Sequence, residues 1–395
     1  MTNQQQIGIF FALGLSGALV IASGQAPGVV RQGSYWMQTS TGVLPAQAGG
    51  KVAVKTQGGV VVRGGSGTEV KYVLRTRVQA RNEADAMRQL KAVSLKMANR
   101  AAGLDLDLLY PSRTEVLADL EIHAPSKLGQ MMVLTQGGNV EVYDIDGAVQ
   151  AQSGGGLIQM DRIGGDAVAR TGGGEIRLGR IGGGARCVSG GGAIYADHCG
   201  GESWFETAGG EIVIRESRGP VHASTAGGSI RVDRAASTVA AHTAAGRIEV
   251  AHAGGVVTAD NSGGSIQVGA ATGVRCESSG GTIRLRGASG ALRAVTDVGS
   301  ILAELMSGMP LQNSMLSTST GDITVFIPSN LALTVRAQSV SGRAGRIVSE
   351  FPEIPVRIIN LPNPASAMAE GALNGGGPLL QISAATGTIY LRRQR

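Results

Sequence analysis

The fold is decided by a repeat whose clearest units are three successive segments of 18 residues. They are IRLGRIGGGARCVSGGGA (176–193), IYADHCGGESWFETAGGE (194–211) and IVIRESRGPVHASTAGGS (212–229). Each unit begins with isoleucine after a glycine-rich turn, and a second glycine signal falls near its middle. Each unit therefore divides into two halves, and each half is a short strand followed by a tight turn.

The same pattern extends over residues 140–301 at intervals of 18 residues, apart from one interval of 17 between Ile266 and Ile283. Within each half, apolar and other residues alternate with the period of a β-strand. Large pairs on the first strand, such as Ile176/Leu178, Ile212/Ile214 and Ile230/Val232, recur opposite smaller pairs on the second, such as Ala185/Cys187, Val221/Ala223 and Val239/Ala241. Equivalent strands recurring at a fixed coil length predict an all-β fold, a flattened, right-handed, two-sheet parallel β-solenoid with about 18 residues per coil.

Two other repeat folds with a similar unit length fit the sequence less well. The calcium-binding β-roll requires an aspartate in each turn, whereas the turns here contain GGGEI, AGGEI and AGGSI. The left-handed hexapeptide helix has three strands per coil, and two glycine signals per unit argue against it. The sequence therefore predicts no calcium, no other metal and no cofactor.

Composition narrows the classes of partner. The 395 residues include 62 glycines, only 3% aromatics and a net charge of +6. Basic patches interleaved with aromatics are missing, so a nucleic-acid partner is not expected. Cys187, Cys199 and Cys276 are an odd, scattered set that indicates neither a disulfide framework nor a metal site. We expect Cys187 and Cys276 to point into the core and Cys199 to lie at a turn.

The N-terminal segment carries the only long apolar run, residues 7–23. Small residues at 22–24 suit a signal peptidase, while a helix of this length would span about 26 Å, slightly less than a bilayer core. Residues 1–24 are therefore predicted to be a signal peptide or an uncleaved N-terminal anchor, and residues 25–45 a linker. In either case the rest of the chain is expected to be extracytoplasmic, with membrane contact only through this segment.

Residues 46–130 are predicted to form N-terminal strands and one helix, residues 82–98, that cap the solenoid. Asn82 is suited to cap the helix, and apolar residues from Met87 to Met97 recur at helical spacing. The strand before the helix has a basic face (residues 71–81), and the strand after it has an acidic face (residues 115–121). We expect the two faces to pair across strands. Regular coils follow over residues 131–328, and residues 329–395 are expected to be irregular final coils and a C-terminal cap.

Three stretches resemble a known family. They are APSKLGQMMVLTQGGNVEVYDIDG (124–147), STSTGDITVFIP (317–328) and NGGGPLLQISAATGTIYL (374–391). Together with the glycine–strand repeats, they look like the bacterial putative-adhesin β-strand-repeat family, a domain of unknown function similar to auto-transporter adhesin heads. The resemblance covers roughly residues 45–395. It implies an extracytoplasmic β-solenoid with an adhesive role, and it supplies no catalytic residues.

One outward column of the second strand is a candidate binding site. Arg186, Trp204 and His222 occupy equivalent positions in successive coils, about 4.8 Å apart. Because Phe205 is expected to point inward, the Trp204 indole should point outward, where it could stack on a sugar ring or on an apolar group of a partner. The alternative is that Trp204 packs under a loop or on Arg186 alone.

An enzymatic alternative rests on three outward carboxylates, Asp161, Asp197 and Asp233, each two coils from the next. That spacing, about 9.6 Å, is at the edge of the range for an inverting acid and base. The glycine turns offer no long loops to build a cleft, and the five histidines do not cluster. The sequence therefore favours a non-enzymatic adhesin or cell-envelope interaction scaffold that binds a cell-surface glycan or an envelope protein. The alternative is a carbohydrate-active β-helix protein, meaning polysaccharide binding, lyase or hydrolase.

Overall fold

The computed structural model describes residues 28–46, 49–100, 103–111, 115–340, 346–359 and 366–394. These residues form two sheets of 18 strands each and one helix. Equivalent strands of successive coils pair in parallel, so the predicted two-sheet β-solenoid is confirmed. No helix among the described residues is long and apolar enough to cross a membrane. The predicted signal peptide or anchor lies outside the described residues.

The elements follow in chain order, beginning with those that precede the regular coils. These are β1 (Val29–Gln32), β2 (Tyr35–Pro45), β3 (Lys51–Thr56), β4 (Val60–Gly65), β5 (Glu69–Val78), α1 (Glu83–Lys91), β6 (Ser94–Arg100), β7 (Gly103–Leu109), β8 (Leu117–Pro125) and β9 (Gln130–Thr135). The regular coils are β10 (Val140–Ile145), β11 (Ala148–Ser153), β12 (Ile158–Ile163), β13 (Ala167–Thr171), β14 (Ile176–Ile181), β15 (Ala185–Ser189), β16 (Ile194–Cys199), β17 (Ser203–Thr207), β18 (Ile212–Ser217), β19 (Val221–Thr225), β20 (Ile230–Ala235), β21 (Val239–Thr243), β22 (Ile248–His252), β23 (Val257–Asn261), β24 (Ile266–Ala270), β25 (Val274–Ser278), β26 (Ile283–Arg286), β27 (Leu292–Val298), β28 (Ile301–Glu304), β29 (Ser314–Thr320) and β30 (Ile323–Ile327). The C-terminal elements are β31 (Leu333–Val340), β32 (Arg346–Ser349), β33 (Val356–Ile359), β34 (Ser366–Leu373), β35 (Leu379–Thr386) and β36 (Thr388–Arg393).

In the regular region the even-numbered strands form sheet A and the odd-numbered strands form sheet B. The predicted register holds along it: Ile212 lies beside Ile230, and Val221 beside Val239. Side chains alternate along each strand, so the large residues of sheet A meet the small residues of sheet B in one core. The core is therefore thin, which explains how a chain so poor in aromatic residues fills it.

A buried polar column runs along one corner of the core, at or near the end of the sheet B strands from β9 to β29. Its members are Thr135, Ser153, Thr171, Ser189, Thr207, Thr225, Thr243, Asn261, Ser278, Thr296 and Thr318. In the coil of Thr225, the hydroxyl donates to the Gly210 carbonyl oxygen at 3.0 Å and accepts from the Gly228 amide at 3.1 Å. A side chain on Gly228 would lie 1.9 Å from that same carbonyl oxygen, so the turn requires glycine there. The column thus joins these turns to the turn of the coil before, except at Ser278, whose buried hydroxyl has no hydrogen-bond partner among the described residues.

Thr225→Val should test this column, because it keeps the shape of the side chain and removes both hydrogen bonds. We expect a loss of about 1–3 kcal/mol in the free energy of unfolding, the typical penalty for leaving buried partners unpaired. Urea denaturation would measure it. Thr225→Ser is the matched control and should change stability much less, since serine serves the same role at Ser153 and Ser189. Equal stability of the Val and Ser variants would contradict the proposed role of the column.

Both ends of the solenoid are built out of sequence order. At the N-terminal end, β3 lies between β7 and β9, and β4 lies between β8 and β10. At the other end, β35 lies between β29 and β31, and β36 lies between β30 and β32. The final strand pair is thus an interior coil. The expectation that the tail covers the last coil is wrong for residues 379–393, because their backbone groups pair with a coil on each side.

The predicted linker at residues 25–45 is also wrong where the structure describes it. Residues 35–45 form β2, which pairs antiparallel with β5 from Trp36 to Pro45. The sequence did not predict this strand, because most of the β2 side chains are half-buried or exposed and do not alternate strictly between buried and exposed positions. Gly42 lets the Tyr72 ring lie across the strand, since a side chain at Gly42 would meet that ring at 2.6 Å.

The predicted helix at residues 82–98 begins as expected but ends early. The Asn82 side chain accepts a hydrogen bond from the Asp85 amide at 2.9 Å, and the helix ends at Lys91. Residues 94–100 instead form β6, which pairs antiparallel with β7. Val93 and Met97 fit both a helical and an alternating pattern, and pairing with β7 satisfies the backbone in the extended form. The helix itself packs against β2 and β5.

The expected pairing of the basic and acidic faces is confirmed. Arg75 lies 2.9 Å from Glu121, and Arg77 lies 3.6 Å from Asp119, across the antiparallel pair β5 and β8. The Arg75 guanidinium holds the pKa of the Glu121 carboxyl below its usual value through their hydrogen bond. These exposed ion pairs account for much of the positive charge on β5, so that no ligand is needed to explain it. Each pair contributes little to stability.

Candidate functional site

The three predicted binding residues lie side by side on the outer face of sheet B. Arg186 on β15 is the register partner of Trp204 on β17, which in turn is the partner of His222 on β19. Trp204 points outward because its neighbour Phe205 is buried in the core. The indole is 46% exposed, an unusual position for so large an apolar side chain.

Trp204 and His222 form a stacked pair. Their ring centroids are 3.8 Å apart and their planes differ by 10°. His222 Nε2 lies 3.3 Å from the Glu202 carboxylate, which fixes the imidazole against the indole. The alternative that Trp204 packs on Arg186 alone is therefore wrong, because His222 covers one face of the indole. The stack presents a rigid aromatic edge at the surface.

The stack borders a surface groove of about 370 Å³, the Trp204 groove, which crosses strands β15 to β23. Its larger lining side chains are Arg186, Trp204, Glu206, His222, His242 and Asp260. The short side chains of Ser224 and Ala240 lie between them and leave room for a ligand. Ala240 follows His222 in the register, so the groove continues past the aromatic stack along the solenoid axis. An aromatic wall with scattered polar groups suits a polar ligand with a flat face.

The coil below the groove has an unusual core. On sheet A its inward residue is Ala196, where neighbouring coils place Leu178 and Ile214. On sheet B its inward residue is Phe205, where neighbouring coils place Cys187 and Ala223. The large and small positions are thus exchanged in the coil that carries Trp204, and Phe205 anchors the strand from beneath.

Sequence reasoning missed Glu202, Glu206, His242 and Asp260. Glu206, His242 and Asp260 occupy a second outward column, two residues along each strand from the column of Trp204. The same alternation that placed Trp204 outward would have placed them beside it. Their side chains differ in type, so no repeated motif drew attention to them.

A larger surface depression, about 840 Å³, lies near the N-terminal end around Gly58 and Asn139. Two of its charged residues, Arg75 and Glu121, bind each other. It offers no exposed aromatic ring comparable to Trp204 among the described residues. We therefore consider the smaller Trp204 groove the better candidate.

The three candidate catalytic carboxylates are each paired with an arginine. Asp161 binds the Arg162 side chain and accepts from the Arg180 amide at 2.9 Å. Asp197 lies 3.4 Å from Arg215, and Asp233 lies 2.8 Å from Arg231. A neighbouring guanidinium stabilises the ionised carboxylate, whereas a general acid in glycoside hydrolysis must hold its proton.

The cysteines and histidines form no metal-binding cluster in the described residues. All three thiols are buried and free, including Cys199, which lies in the core rather than exposed at a turn. Burial raises the pKa of the Cys199 thiol to about 11, and it also raises the pKa values of the Cys187 and Cys276 thiols well above the usual range. No group of three or more metal-binding side chains occurs in the described part of the chain.

No protein-family model matches this sequence, and no curated protein matches it. Among solved structures, the chain is similar to a putative cell adhesion protein from Clostridium sporogenes ATCC 15579, with 9% sequence identity. The match covers 91% of this chain and 100% of that chain, with a TM-score of 0.19. At this score the likeness carries no argument, so the description of the fold rests on the strand pairing, and the resemblance to an adhesin family has no family match behind it.

Proposed function

We propose that the protein is an exported, non-enzymatic β-solenoid that acts as an adhesin or cell-envelope interaction scaffold and binds a glycan in the Trp204 groove. The observation that carries the proposal is the exposed Trp204–His222 stack beside a polar groove. Aromatic faces and edges contact the C–H faces of sugar rings, while carboxylate and imidazole groups bind sugar hydroxyls. The regular coils serve as the rigid support that holds these side chains in place.

A carbohydrate-active enzyme is the alternative function. Two features support the non-enzymatic proposal instead. The candidate carboxylates form ion pairs with arginine, and the turns beside their strands, β12, β16 and β20, are too short to enclose a substrate. Catalysis on a glycan usually requires a pocket that excludes water and raises the pKa of one carboxyl. A scaffold requires only an exposed, preorganised surface.

A glycan array probed with the residue 28–395 protein, together with the Trp204→Ala variant, should test the proposal. We expect wild-type protein to bind at least one glycan, and Trp204→Ala to weaken that binding about tenfold or more, the size expected for loss of a central aromatic contact. The melting temperature should change little, because Trp204 is an outward residue.

Tyr195→Ala is the matched control, since Tyr195 is an outward aromatic on sheet A of the same coil. It should bind the glycan as wild type does. If Tyr195→Ala loses binding while Trp204→Ala retains it, the binding face is sheet A and the proposal is wrong. An empty array would favour a structural envelope protein. Turnover of a bound glycan that depends on Asp161 or Asp197 would favour the enzyme.

A further inference from the structure

Two carboxylates in the Trp204 groove have no partner among the residues that the structure describes. Neither Glu206 nor Asp260 forms a hydrogen bond or an ion pair from its side chain with any described residue. Glu277, two coils beyond His242 on the same outer column, lies 3.0 Å from Arg275 and 3.7 Å from Arg293. The groove therefore presents two unpaired carboxylates, with one unpaired arginine, Arg186, at its other end.

The two carboxylates mark a line along the solenoid axis. Glu206, Ser224, His242 and Asp260 are register partners in successive strands. Three strand spacings separate the two acids, a distance of about 14 Å. The line runs parallel to the aromatic column of Trp204 and His222, one pleat away. An elongated ligand could therefore contact the rings on one side and both acids on the other.

From this arrangement we infer that the groove binds a linear glycan with free amino groups, an oligomer of de-N-acetylated glucosamine in type. The inference rests on the proposed function, because it names the ligand class of the same groove. Ammonium groups would form charge-assisted hydrogen bonds with Glu206 and Asp260. Their sugar rings would lie against the exposed edge of the aromatic stack.

Arg186 sets the direction of the bound chain. It precedes Trp204 in the same column, and no ion pair of its side chain is seen among the described residues. Its charge would repel an ammonium placed beyond the indole. The amino groups should therefore extend from Trp204 towards Asp260, over Ser224 and Ala240.

Calorimetric titration should test the inference under conditions in which the amines are protonated. The probes are a glucosamine oligomer, its N-acetylated counterpart of equal length and an oligolysine. We expect the glucosamine oligomer to bind about tenfold more tightly than the N-acetylated form, with affinity falling as salt rises. Glu206→Gln and Asp260→Asn preserve shape and should each weaken binding several-fold. Glu277→Gln, outside the groove, should leave it unchanged.

The outcomes separate the inference from the proposed function. Equal affinity for the two glycans, with binding still dependent on Trp204, would overturn the inference and leave the proposed function intact. Oligolysine binding as tightly as the glucosamine oligomer would overturn the assignment to a glycan. If neither glycan binds and the array shows no binding of any other glycan, both the inference and the proposed function are wrong.

Discussion

Ile389→Asp is expected to cost more than about 4 kcal/mol in the free energy of unfolding, because it places a charge in a fully buried interior strand. Ile389 is 0% exposed and lies on β36, between Ile323 of β30 and Ile347 of β32. The substitution therefore disturbs a coil that is paired on both sides. Chemical denaturation followed by circular dichroism would measure the loss.

The reason for so large an effect is the order in which the coils are stacked. If the tail were the outermost coil, losing it would fray one end and leave the other coils paired. Because β35 and β36 lie inside the stack, their loss also separates β31 and β32 from the rest of the solenoid. The C-terminal coils should then unfold together.

Ile358→Asp is the matched control for this prediction. Ile358 is 71% exposed on β33, an edge strand of sheet B, so the same substitution should change stability by no more than about 0.5 kcal/mol. Similar losses for the two variants would show that position within the stack does not matter. That result would contradict the interior placement of the tail.

Phe205→Ala is expected to cost about 3–5 kcal/mol, the range for truncating a buried phenylalanine. Phe205 is 2% exposed and fills the coil that carries Trp204. Its loss leaves a cavity that the facing Ala196 is too small to fill. Thermal and urea denaturation would measure the loss, and glycan binding should weaken as well, because the strand beneath Trp204 loses its anchor.

A second substitution should partly repair this cavity. Ala196→Leu restores at that position the kind of residue that Leu178 occupies in the preceding coil. In the double variant, Ala196→Leu with Phe205→Ala, we expect stability to recover by about 1–2 kcal/mol relative to Phe205→Ala alone, a typical coupling between neighbours. Ala196→Leu by itself should overpack the core and destabilise it. If the losses in the free energy of unfolding of the two single variants simply add in the double variant, the side chains at positions 196 and 205 do not fill the same part of the core.

The sequence was enough to predict the regular coils, because their register is repeated in every unit. The 18-residue spacing alone predicts that Ile212 pairs with Ile230. The two ends could not be predicted in the same way. Whether β36 pairs beyond β32 or between β30 and β32 depends on competing contacts between distant segments, and both arrangements satisfy the same alternating pattern.

The candidate site was predictable in position but not in detail. Alternation with Phe205 indicates that Trp204 points outward, and equal coil lengths place Arg186 and His222 beside it. Both neighbours are about one strand spacing away, so the sequence could not tell which of them stacks on the indole. In the structure His222 stacks on the indole, because of its side-chain rotamer and its contact with the Glu202 carboxylate.

The central claim, that a glycan binds against Trp204, is tested most directly by the fluorescence of that residue. The chain has two tryptophans, and Trp36 is partly buried with its Nε1 donating to the Ala80 carbonyl oxygen at 3.2 Å. In a Trp36→Phe background, the emission therefore reports on Trp204 alone. We predict that titration with the glycan selected on the array changes this emission saturably, with the Kd found by calorimetry. Calorimetric binding without any change in the emission would place the ligand elsewhere and contradict the claim.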